Sequence, residues 1–200
     1  AGILVLITTY LLKRDLRIYK CDLKWFLIFT LVDATFFQLF LTYGIEKTGA
    51  GLGSVLIDSQ PLLVALLARG IFGNLINPIG WLGLLFGLGG IIFLGFPKEF
   101  LENWWLMSDT NIADIQFNIG EAWMLAASMA MALGTILIRF TCKKSDPVAV
   151  TGWHMIIGSF PLIIKYSIET NLQSLPNWSL NDWGLMSFAS IFGGAIAYGL

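Results

Sequence analysis

Charge is what this chain has least of. Only 12% of its 200 residues are charged, about half the ~25% of an average globular domain. Twelve Lys and Arg against thirteen Asp and Glu leave a net charge of −1, so no basic field exists to attract nucleic acid. One His and two Cys are too few for a structural zinc site within the chain, and neither a metal nor a cofactor is expected. No GxGxxG, P-loop or HExxH string occurs, which removes common signatures of dinucleotide, nucleotide and zinc-protease chemistry. Cys21 and Cys142 lie in loops rich in Lys and Arg. Such loops normally face a reducing cytoplasm, so both are read as free thiols.

Apolar residues fill the space that charge leaves. They make up 56% of the chain, with a mean hydropathy of +0.76. Five stretches of about twenty mostly apolar residues run at 26–45, 49–70, 77–96, 120–140 and 147–166, and a sixth at 183–200. A helix rises 1.5 Å per residue, so about 20 residues cross the ~30 Å hydrocarbon core of a bilayer. The expected fold class is all-α, a polytopic bundle of transmembrane helices whose neighbour is membrane lipid. The opening AGILVLITTYLL reaches about 18 Å and reads as the inner half of a helix. SFASIFGGAIAYGL stops within the sixth stretch. Further helices are therefore expected on both sides.

The loops alternate in charge. Lys13, Arg14, Arg17, Lys20, Lys24, Arg69, Arg139, Lys143 and Lys144 fall on one side. Lys47, Lys98 and Lys165 fall on the other. The positive-inside rule puts the nine-charge side in the cytoplasm, or the equivalent side of an organelle. Trp25, Trp81, Trp104, Trp105, Trp123, Trp178 and Trp183 lie near span ends, where an apolar ring with one N–H suits the headgroup layer. FLENWWLM (100–107) is expected either along the outer interface or as a plain loop.

Small residues should pack the helices. Gly80, Gly83, Gly87 and Gly90 share one helix face, and membrane helices associate through close approach of small residues. That face is expected to meet another helix of the chain or, less directly, a second copy in a homodimer. A Leu at Gly83 or Gly87 should force the partners apart. Ala127, Ser128, Ala130, Ala132 and Gly134 form a similar set, as do Ser190, Gly193, Gly194 and Ala197.

Two carboxyls lie near mid-span, Asp33 and Asp58, each about 12–14 Å deep. An ionised Asp at that depth costs at least ~2.5–3.5 kcal/mol, so each faces a watery cavity or a partner, is protonated, or hydrogen-bonds a neighbouring helix. Asp58 opens the string DSQP. Pro61 has no N–H and clashes with the carbonyl of Ile57, so the helix should bend there. Gly51, Ser54, Asp58 and Pro61 share a small, polar face, while Gln60 points elsewhere, toward a neighbouring helix. Asp58 therefore ranks above Asp33, which has no such kink. Thr35, Gln38 and Thr42 form a second polar stripe beside Phe36, Phe37, Phe40 and Tyr43, rings that line a cavity or face lipid and core. Thr151, His154, Gly158 and Pro161 share a face of the fifth stretch. There the only His serves packing or a cavity. The candidate pathway for substrate or coupling ion is thus Asp58, Asp33, Gln60, Pro61, Ser54, Gln38 and His154.

These strings resemble the EamA-type branch of the drug/metabolite transporter superfamily. YGIEKTGAGLGSVLIDSQPLLVALLARGIFG (43–73) looks like its third and fourth helices, through Thr48, Ala50, Ser54, Pro61 and Leu66–Ala68. GWLGLLFGLGGIIFLG (80–95) looks like the Gly-rich fifth helix. GEAWMLAASMAMALGTILIRF (120–140) looks like the start of a second repeat, and SIFGGAIAYGL (190–200) like that repeat's third helix, equivalent to 33–45. IDSQP, SDP, TGWHM and SIFG, in that order, are similar to the group found in cyanobacteria and plant plastids. One departure is Gly73-Asn74-Leu75, where the family often carries an acidic string.

The resemblance implies a ten-helix carrier of two inverted five-helix repeats. Residues 1–96 would be the first repeat, from the end of helix 2 to helix 5. Residues 97–118 would be an outer connecting loop, and 119–200 helices 6 to 8 of the second repeat. It implies no enzyme activity. It implies a permease or exporter of small metabolites that exposes a midplane site alternately to each side, in a bacterial plasma membrane or a plastid membrane. Coupling to protons or exchange is common in the family. The remaining classes are a non-transporting membrane scaffold or sensor and an intramembrane protease using Asp33 and Asp58. The second lacks the surrounding motif, and buried acids on kinked helices give the first no advantage.

Overall fold

The computed structural model describes residues 1–73, 75–95, 119–169 and 179–196. The FLENWWLM segment, the rest of loop 97–118, Asn74, Trp178 and Ala197 lie outside the described residues. Among the described residues the secondary structure is entirely helical. In order these are α1 (Gly2–Leu11), α2 (Lys20–Phe29), a π-helical turn (Thr30–Phe36), α3 (Phe37–Thr48), α4 (Ala50–Ile57), α5 (Gln60–Phe72), α6 (Pro78–Gly95), α7 (Ile119–Thr141), α8 (Pro147–Glu169), α9 (Leu180–Phe188) and a second π-helical turn (Ala189–Ile196).

Among the described residues four helices are long and apolar enough to cross a membrane: Lys20–Thr48, Gly51–Phe72, Ile119–Thr141 and Pro147–Ile168. The first has 29 residues, more than the ~20 a bilayer core needs, so its charged start at Lys20–Lys24 can project beyond the lipid. The stretch at 77–96 forms the 18-residue α6. The chain is an integral membrane protein.

Two compact units divide the chain, Ala1–Thr35 with Leu137–Leu200, and Phe36–Ile136. In the first, α1 packs along α8. Glycine permits this: a Cβ on Gly152 would lie 2.6 Å from Leu6, and one on Gly2 2.9 Å from the Gly152 carbonyl. Phe26, Phe29 and Val150 form a buried core, with Trp153 and Cys142 packed against it. Trp25 stacks on Phe140 at 5.1 Å. The loops 13–19 and 142–146 meet at one end. Asp22 accepts from Ser145, Arg14 lies 3.6 Å from Asp146, and Trp153 Nε1 donates to the Leu16 carbonyl at 3.0 Å. Eight of the twelve Lys and Arg stand in or beside these loops, which is the grouping that the charge pattern demands of one side.

In the second unit, Met124 of α7 sits where Gly44 and Gly53 leave room. Trp123 stacks on Phe40 at 5.5 Å and tilts against Tyr43 at 5.8 Å, so these rings are a helix contact. Ala127, Ser128, Ala130, Ala132 and Gly134 are all buried, as expected. The stripe on α6 is corrected. Gly87 approaches Leu62, with a Cβ reaching 3.2 Å, but among the described residues nothing lies within 4 Å of a Cβ on Gly83 or Gly90. A uniformly apolar helix does not reveal which of its faces is packed. Gly44, Gly53, Gly152 and Gly158 hold close contacts instead.

Both thiols are free; Cys21 is exposed and Cys142 half-buried. Burial, then the charges of Asp22 and Asp146, push the Cys142 thiol up to about 11. At pH 8 about one such thiol in a thousand is thiolate, the reactive form. In detergent solution, which exposes both ends, a maleimide should therefore modify Cys21 at least about tenfold faster than Cys142, and the Cys142 rate should climb as pH rises. Equal rates at pH 8 would contradict this packing.

Candidate functional site

Asp33 lies inside the first π-helical turn. Such wide turns interrupt the regular i→i+4 ladder and recur at functional sites. The expectation that Asp33 sits on unkinked helix is therefore corrected: irregular backbone occurs at Asp33 as well as at Asp58. Gly158 of α8 has no Cβ, and Ala34 occupies the space that one would fill. This close approach brings Thr35 Oγ1 to the Gly158 carbonyl, to which it donates at 3.2 Å. It also sets Asp33 Oδ2 3.1 Å from Nε2 of His154. His154 is 5% exposed, and its ring tilts against Phe29 at 4.7 Å. The face Thr151–His154–Gly158 is thus the one that receives the π turn.

Hydrogen counting determines what this pair holds. His154 Nδ1 lies 2.7 Å from the Thr151 carbonyl oxygen. A carbonyl only accepts, so Nδ1 carries the hydrogen. In a neutral ring Nε2 is then a bare acceptor. It faces a carboxylate oxygen, which is an acceptor too when ionised. Two acceptors at 3.1 Å repel. The contact is a hydrogen bond only where a proton lies between the two atoms, on Nε2 or on Oδ2. Nearby polar groups are the Thr30 hydroxyl, buried with no hydrogen-bond partner among the described residues, and the Thr151 hydroxyl, committed to the Pro147 carbonyl at 2.9 Å.

The second candidate lies in the other unit and is described on its own. The helix breaks at Asp58–Ser59, between α4 and α5, where Pro61 predicts it. Ser59 Oγ donates to the Leu56 carbonyl at 2.7 Å. Ser128 Oγ lies 2.7 Å from Ser59 Oγ, where either hydroxyl can donate, and donates at 3.4 Å to the Ile57 carbonyl, the group that Pro61 deprives of its donor. Backbone broken at membrane depth is thus served by the neighbouring helix. Gln60 Nε2 donates to Thr135 Oγ1 at 3.0 Å, turned toward α7 as expected. Gly51, Ser54, Asp58 and Pro61 are all exposed, one small polar face directed away from α7. The stripe on α3 divides: Thr35 is buried, whereas Gln38 and Thr42 are exposed and Thr42 donates to the Gln38 carbonyl of its own helix.

Sequence reasoning named Asp33 and His154 separately and missed their partnership. The signal was present as two mid-depth ionisable residues of opposite character on different spans. It also missed Ser59 and Ser128, whose hydroxyls a proline-broken neighbour requires. Asp22 was masked by the five Lys and Arg around it.

The description of the EamA-like transporter family matches residues 1–96 and 118–200. The chain belongs to this family. It is 46% identical over 203 residues to an uncharacterized transporter of Synechocystis sp., covering 100% of this chain and 61% of that protein. It is 45% identical over 182 residues to a chloroplastic WAT1-related protein of Arabidopsis thaliana, covering 88% and 42%. It is 26% identical over 190 residues to the uncharacterized transporter YoaV of Bacillus subtilis, covering 92% and 61%. The first two agree with the cyanobacterial and plastid group suggested by IDSQP, SDP, TGWHM and SIFG. No solved structure gives a significant match.

Proposed function

We propose that this EamA-family chain forms part of a secondary-active carrier that moves small metabolites by alternating access, with the Asp33–His154 pair holding the coupling proton. The observation that supports this reading is the 3.1 Å approach of His154 Nε2 to the Asp33 carboxyl, a contact that is attractive only with a proton between the two atoms. A carrier that opens the pair to water on either side would exchange that proton with each side in turn. Asp58, on its exposed face of small residues beside a broken helix, is proposed as a substrate- or ion-lining group within its own unit, with Ser54 and Pro61. Gln60 and Ser128 support that break from behind. No Lys or Arg stands at mid-depth to hold a phosphorylated sugar, which favours amino acids or neutral and weakly basic metabolites.

The test uses the full-length protein. Metabolite export is compared in cells with and without the gene, and the metabolite that differs is then used for counterflow in proteoliposomes. Counterflow above empty vesicles supports a carrier. A reconstituted, folded protein that exports and exchanges none of the metabolites screened would favour the scaffold or sensor.

A further inference from the structure

The first N–H groups of a helix need acceptors. In α9 these come from the same segment. Ser179 Oγ accepts from the Asp182 N–H at 3.3 Å, and Asp182 Oδ2 accepts from the Ser179 N–H at 2.8 Å, a capping box. The start of α2 has the same spacing, with Tyr19 at the N-cap position and Asp22 three residues on. Tyr19 has no hydroxyl on its Cβ. Ser145 supplies one instead. The Tyr19 N–H donates to Ser145 Oγ at 3.1 Å, and Ser145 Oγ donates to Asp22 Oδ2 at 2.9 Å. The N–H groups of Lys144 and Ser145 donate to the same oxygen, each at 2.9 Å. Ser145 Oγ thus bridges the N-cap N–H to the Asp22 carboxyl in trans, from a loop 123 residues further along the chain, while the Asp22 N–H itself donates to the Tyr19 carbonyl.

We propose that this trans cap is a gate: the Asp22–Ser145 contact closes the Lys/Arg-rich end of the first unit and parts when the carrier opens there. The proposal rests on the transport reading above. Asp22 is 0% exposed, so the closed contact excludes water. The partners of its Oδ2 come from one short loop, and movement of that loop alone releases them. Its other oxygen, Oδ1, is buried with no oxygen or nitrogen donor among the described residues, and the neighbouring Cys21 thiol is a further hydrogen-bond partner of the carboxyl. Asp33 lies about 16 Å further along the same continuous helix, so parting at Asp22 leads toward the proton-sharing pair. The Arg14–Asp146 ion pair joins the same loops, but with Arg14 48% exposed it contributes little.

The test has two arms in the full-length protein. With Cys21 and Cys142 replaced by Ser, Asp22→Cys and Ser145→Cys are bridged by oxidation. The reduced form should transport, bridging should cut transport to below about a tenth, and reduction should restore it. Transport that continues unchanged across a completed bridge would make the contact a fixed strut and overturn the gate. The second arm needs no substrate. Ser145→Ala should speed amide hydrogen exchange at Tyr19 by at least about tenfold and leave Asp182 unchanged. Unchanged exchange at Tyr19 would overturn the trans cap itself, even where the double-cysteine variant fails to fold. A wild-type protein without counterflow would strike the transport reading instead, and the exchange arm would still decide the cap.

Discussion

On the proposed coupling, Asp33→Asn in the full-length protein should abolish pH-driven accumulation while substrate exchange survives. Asn fills the volume of Asp and can donate to the bare Nε2 of His154, so the 3.1 Å contact is retained without a proton that can leave. A carrier moving one proton per substrate converts one pH unit, about 1.4 kcal/mol, into about tenfold accumulation. In the variant that ratio should fall to about one, measured in proteoliposomes with an imposed pH gradient and the metabolite found by export screening. Asp58→Asn should act more weakly on the pH dependence, reversing the order suggested by the proline kink alone. The reason is His154: its Nε2 lies 3.1 Å from Asp33 Oδ2, whereas Asp58 is exposed on a face turned away from α7. An Asp33→Asn carrier that still accumulates about tenfold per pH unit would remove the pair from coupling.

Gly158→Leu should be the most damaging packing change. Ala34 already occupies the space of a Gly158 side chain, so a larger residue separates α8 from the π turn. It breaks the Thr35–Gly158 hydrogen bond and the His154–Asp33 contact together. Overpacking of this kind costs ~1–3 kcal/mol or more, and each kcal/mol lowers the melting temperature by about 2–4 °C at this size. Gly83→Leu, where a Cβ meets nothing among the described residues, should change it little. Thermal unfolding of both variants in detergent compares them directly. Equal melting temperatures would show that the π turn does not depend on this approach.

The class of the fold was legible because length and hydropathy alone set it: twenty apolar residues in succession have few other uses. The break at Pro61 was legible because proline removes a specific hydrogen bond whatever surrounds it. Helix-to-helix choice was not. On α6 the residues are apolar all round, and a glycine stripe marks where approach is possible, not where it happens. The π turn at Thr30–Phe36 has no proline or glycine to announce it. It depends on Gly158, more than a hundred residues away in sequence, so only the fold reveals it. Asp22 was obscured for a similar reason: its partners are backbone N–H groups, which carry no sequence signature.

The shared proton can be observed without knowing the substrate. His154 is the only histidine of these 200 residues, and a His154→Gln control identifies its signals in the full-length protein. Nitrogen-15 NMR of the ring reports which nitrogen carries hydrogen. The account predicts a protonated Nδ1 throughout, with Nε2 hydrogen-bonded to Asp33 through one shared proton, and a change at Nε2 in Asp33→Asn. A neutral ring carrying its hydrogen on Nε2, with Nδ1 bare and the spectrum unaltered by Asp33→Asn, would contradict it.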